Sequence, residues 1–120
     1  MRMSDEEYFR SCVSKERQLA HLLGHHNIEE CYESAGILWE NTDALPKWTR
    51  DWNACAPLMV SYDITINYGK EPGDAHSTFV TIGSQLVHFS DHPTKDRAVM
   101  YAIVKAVIHL LEHAKDVKAS

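Results

Sequence analysis

The first run of apolar positions falls at Tyr8, Phe9, Cys12, Leu19, Leu22 and Leu23, a rough helical stripe between polar residues. Ser4 followed by Glu7 has the form of a capping box, and Asp5 and Glu6 sit in the first turn, where the positive helix end favours them. Gly24 supplies a stop, so the pattern predicts a helix over about 5–23. From 24 to 48 the periodicity fails. That stretch reads as a loop with at most a helical turn around Ile28 to Ser34.

A second helix is predicted over Arg50 to Val60, capped by Thr49 and with Asp51 in its first turn. Pro57 lies well inside it, deletes a backbone hydrogen bond and should kink it or end it early. Strict alternation from Tyr62 to Tyr68 then predicts a strand with Tyr62, Ile64, Ile66 and Tyr68 on one face. Gly69 to Asp74 is a turn in composition, His76 to Ile82 a returning strand, Gly83-Ser84 a second turn, and Leu86 to Phe89 a short third strand. The last helix begins near Pro93 with Ser90 or Asp91 as cap and runs to about Ala114. It is apolar around most of its circumference, through Val99, Met100, Ile103, Val104, Val107, Ile108, Leu110 and Leu111. Such a helix is sandwiched inside its own protein or shared with another subunit, so a homodimer contact is expected at part of this helix or at the outer sheet face.

The resulting expectation is an α+β single domain over 1–120. A small antiparallel three-stranded sheet is packed by helices in the order α-α-β-β-β-α, with a helix-sheet-helix core over 49–115. A chain of 120 residues has material for one core, and 44% apolar with 24% charged residues is a globular balance. The net charge of −5, with Lys and Arg scattered, leaves no footprint for nucleic acid. The longest apolar stretch, Ala98 to Leu111, is broken by Lys105 and His109 and is too short to span a membrane. An acidic start without a signal-like stretch, and unpaired Cys12, Cys31 and Cys55, fit reduced thiols in a cytoplasm. The cysteines read as small buried hydrophobes.

The segment Leu45-Pro-x-Trp-Thr-x-Asp-Trp, followed by Ala56-Pro57-Leu58-Met59, an isoleucine-alternating strand and an alanine-rich closing helix, resembles a group of small phage and prophage proteins. These are the NinX-like proteins and the related phage ABA-sandwich domain. Trp48, Thr49 and Asp51 occupy the positions of a Tyr-Ser/Thr-x-Asp motif, with Trp48 in place of Tyr, and Ala56 replaces a glycine. The resemblance covers about 17–112. It implies a sheet flanked by helices and a bacterial-virus origin, and it carries no catalytic residue across.

Several constellations could carry chemistry. His109-Leu-Leu-Glu112-His113 has the inverted zinc-protease form, but only seven residues follow for a third ligand, and basic residues suit a helix end anyway. His21, His25 and His26 cluster near Cys12 and Cys31 without the paired spacing of structural zinc. His76, His88 and His92 could converge with Asp91 into a titratable pocket. Trp48 and Trp52, four apart beside Trp39, either close the core or, with Arg50 and the turn from Lys70 to Asp74, line a recognition surface. No nucleophile elbow or phosphate loop occurs, so no catalytic residue and no cofactor is expected.

The leading expectation is a non-enzymatic phage accessory protein in the bacterial cytoplasm that binds a host protein or small ligand through Trp48, Arg50, Trp52, Lys70 and Asp74. The alternatives are a metal-dependent hydrolase using His109, Glu112 and His113, and a structural homo-oligomeric module.

Overall fold

The computed structural model describes residues 4–31 and 37–119, without the side chains of Cys31 and of 115–119. The chain is α+β. Helix α1 (Asp5–Leu22) leads to strands β1 (Ile28–Cys31), β2 (Ile37–Glu40) and β3 (Asp43–Ala44). Helix α2 (Trp52–Ser61), strands β4 (Asn67–Gly69), β5 (Phe79–Ile82) and β6 (Gln85–His88), a 3-10 turn (Phe89–Asp91) and helix α3 (Lys95–Ala119) follow.

Helix α1 forms as its stripe and cap predict: Ser4 Oγ accepts from the Glu7 N–H at 3.2 Å. It stops at Gly24, whose φ of +98° is open to glycine without penalty. The His25 N–H then reaches the Ala20 carbonyl and the Gly24 N–H the His21 carbonyl, a Schellman closure. Helix α2 closes in the same way with Asp63, at φ +52°, in the glycine position. There the Ile64 N–H bonds the Met59 carbonyl at 3.0 Å. The helix runs through Pro57 and four residues beyond it.

Three expectations change here. The stretch 24–48 is not a loop: β1, β2 and β3 form a second antiparallel three-stranded sheet, with Glu30 opposite Leu38 and Glu40 opposite Asp43. The helical turn expected from Ile28 is therefore a strand, and its remaining residues 32–34 lie outside the described ones. The element order becomes α-βββ-α-βββ-α among the described residues. Next, the cap of α2 is Asp51, whose carboxylate accepts from the Asn53 N–H at 3.0 Å, because the Thr49 hydroxyl is committed to Glu16. Last, pairing of β4 begins only at Asn67, because residues 62–64 close the preceding helix. Ile64 and Ile66 still pack on the core from this unpaired extended stretch, whereas Tyr68 is exposed.

The expected meander β4-β5-β6 is present, with Val80 opposite Val87 and the two-residue turn Gly83-Ser84. A Cβ at Gly69 would run into the Phe79 ring across the strands, which fixes glycine at that end of β4. The cap of α3 is Thr94, whose Oγ1 accepts from the Arg97 N–H at 3.1 Å, since Ser90 and Asp91 are taken up in the 3-10 turn. The helix continues past Ala114 to Ala119.

Helix α3 is the hub. Helices α1 and α2 pack against it, as do β5 and β6. Ala98, Val99, Met100, Ala102, Ile103, Val104, Ala106, Val107 and Ile108 are all buried inside this one chain. The chain's own elements cover this part of the helix, while Leu110 stays 45% exposed. The first sheet joins the same core through Ile28 and Leu38, and Leu45 follows just after it. Among the described residues no helix is long and apolar enough to cross a membrane.

Candidate functional site

Helix α1, strand β6, the 3-10 turn and helix α3 line an open cavity of about 300 Å³. Its polar wall holds Tyr8, Ser11, His88, Asp91, His92, Tyr101 and Lys105, backed by Leu86 and Val87. Tyr8 and Ser11 are one helical turn apart on α1, and Tyr101 and Lys105 are four apart on α3, so each pair shares a face. Two hydrogen bonds join the helices and the turn. The Tyr8 hydroxyl meets His92 Nδ1 at 2.5 Å, and Ser11 Oγ meets the Tyr101 hydroxyl at 2.9 Å.

The rings form one cluster. Tyr8 meets His92 edge-on at 5.2 Å between centroids, His92 lies 5.0 Å from Tyr101, and Tyr8 stacks on Tyr101 at 6.4 Å. Burial, and after it the neighbouring Cys12, push the Tyr8 phenol well above its ordinary value, so it stays protonated. The Arg97 guanidinium lies over the Tyr8 ring, 5.4 Å from its centroid, and directs Nη2 at Cys12 Sγ, 3.7 Å away. The Ser11–Tyr101 pair owns two hydroxyl protons and uses one between its members. Neither the second proton nor the Lys105 ammonium has an acceptor among the described residues.

The expected histidine convergence is partly present. His88, Asp91 and His92 line this one cavity, whereas His76 is exposed in the β4–β5 connection outside it. Tyr8, Ser11, Tyr101 and Lys105 escaped the sequence reading. Their signal was a lysine and a tyrosine four apart on an otherwise apolar helix, and only folding shows that α1 faces them.

The residues expected to form a recognition surface are dispersed in role. Trp48 is a core residue at 5% exposure, while Trp52 stands 38% exposed on α2. Arg50 binds the buried Glu16 carboxylate through Nη2 at 2.7 Å and Nε at 3.0 Å, with its guanidinium 5.4 Å from the Phe9 ring centre. Lys70 and Asp74 are exposed in the connection between β4 and β5. None of these five residues lines the cavity.

His109 and His113 put their rings against each other at 4.1 Å, and Glu112 accepts from Gln18 Nε2 at 3.3 Å. Among the described residues no three His, Cys, Asp or Glu side chains are grouped to hold a metal ion. His25 instead bonds Glu40 through Nδ1 at 3.0 Å, and the His26 N–H bonds the same carboxylate at 2.6 Å. Cys12 and Cys55 are buried, as small hydrophobes would be, and burial pushes the Cys55 thiol up to about 12. A thiol so raised is no nucleophile at neutral pH.

A fold and pocket of this kind define a small α+β protein with a polar, aromatic-walled cavity beside its central helix. Comparison with protein family profiles, curated proteins and solved structures finds no match to this chain.

Proposed function

We propose that this chain is a non-enzymatic binding protein, of the phage or prophage kind its motifs resemble. It works in the bacterial cytoplasm by holding a small molecule in the cavity between α1, β6 and α3. The observation that carries this reading is the cavity's wall: three mutually packed rings, and hydrogen-bonding groups without an acceptor among the described residues. Concave sites with a few convergent polar groups are where proteins take small ligands, and about 300 Å³ is at the lower end of their size range.

The same hydrogen bonds favour binding over catalysis. A nucleophilic serine needs a base at its hydroxyl, but His92 Nδ1 is bonded to Tyr8, and Ser11 to Tyr101. The small-ligand half of the sequence expectation is favoured over a host-protein surface because the polar groups line a concavity rather than an exposed face.

Titration of the isotope-labelled full chain with phenol, followed by amide NMR shifts, tests the reading. Saturable shifts gathered at Tyr8, Ser11, His88, His92 and Tyr101 are expected. Shifts scattered over the surface, or none up to the solubility of phenol, would reject it.

A further inference from the structure

Resting on that reading, we infer that the cavity's ligand is a small aromatic carboxylate, with its carboxylate at Ser11, Tyr101 and Lys105 and its ring against Tyr8, His92 and Tyr101. The charges decide the polarity. Lys105 contributes an ammonium that meets no carboxylate among the described residues, in a chain whose net charge is −5. Beside it the Ser11–Tyr101 pair has one hydroxyl proton to donate. An ammonium and a hydroxyl lining one cavity suit an oxygen anion, since hydrogen bonds with a charged partner are roughly twice as strong as neutral ones.

One cation matches one negative charge. Asp91 lines the same cavity, and its carboxylate opposes a dianion such as a phosphate monoester more than a singly charged carboxylate. The cavity wall also carries the rings of Tyr8, His92 and Tyr101, 5.0 to 6.4 Å from one another, and Val87, an aromatic and apolar surface for a planar body.

The test uses the full chain and four probes of one shape: benzoate, benzamide, benzylamine and phenyl phosphate, each followed by NMR titration. Benzoate should shift the amides of Ser11, Tyr101 and Lys105 saturably and bind at least about ten-fold tighter than benzamide. Lys105→Gln should remove that preference, Tyr101→Phe should weaken benzoate several-fold while keeping the ring contacts, and Lys47→Gln, outside the cavity, should change nothing. The amide spectrum of each variant reports whether it is folded, and Tyr101→Phe carries the test if Lys105→Gln is not. Benzamide binding as well as benzoate, or benzylamine or phenyl phosphate binding more tightly, would overturn the carboxylate assignment and leave the cavity a binding site. Failure of all four probes to shift any lining residue would overturn both.

Discussion

Burying the Glu16 carboxylate to 1% exposure requires that every lone pair lost to water be replaced. Thr49 supplies its N–H at 3.2 Å and its hydroxyl at 2.5 Å, and Arg50 supplies two guanidinium contacts. The pair ties the middle of α1 to the start of α2. Breaking a buried pair costs far more than forming it gains, because a charge stays behind in a poor solvent. Glu16→Ala should therefore lower unfolding free energy by about 3 kcal/mol or more, read from the urea midpoint. Glu16→Gln, which keeps the shape and part of the hydrogen bonding, should lose less. A loss under about 1 kcal/mol for the alanine variant would return Arg50 to the candidates for a functional surface. Sequence reading placed Arg50 at such a surface because nothing local announces a partner 34 positions away.

Helix ends were the most legible elements where the residue type is the usual one, and misleading where it is not. Ser4 and Gly24 bound α1 as their chemistry demands. For α2 both ends differ, since Thr49 is consumed by Glu16 and Asp63 does the work of a glycine. Asp51→Ala should cost about 1 kcal/mol of stability by loss of its bond to the Asn53 N–H, measured by thermal unfolding. A neutral Asp51→Ala would overturn Asp51 as the cap of α2. The first sheet was hidden for another reason. Four-residue strands such as Ile28-Glu-Glu-Cys31 are too short to show a period, and their pairing energy resides in partners such as Trp39 opposite Glu29.

At the scale of the molecule, Glu40 pins the exit of α1 to the first sheet. The His25 ring and the His26 N–H hold its carboxyl below the usual 4.5 in the folded chain. A carboxyl with a depressed folded pKa releases its proton more readily when folded, so its contribution to stability is complete above the unfolded value and fades as pH falls through the folded one. Glu40→Gln should therefore destabilise the protein at pH 7, with the difference shrinking towards about pH 3. Urea unfolding of both forms at the two pH values measures it, and a deficit that persists unchanged in acid would point to packing instead.

The sequence by itself determined the α+β class, the bounds of α1, the β4-β5-β6 meander and the apolar helix at its end, because each depends on local periodicity and turn chemistry. Tertiary structure decided that α3 stands at the centre with most of its apolar face covered by the other elements, and that β1, β2 and β3 form a sheet. It also brought Tyr8 and Ser11 to Tyr101, His92 and Lys105, across separations of 84 and 90 positions for the two hydrogen bonds. Which side chains meet over such distances is set by how the helices pack on their shared core, and no window of sequence contains that information.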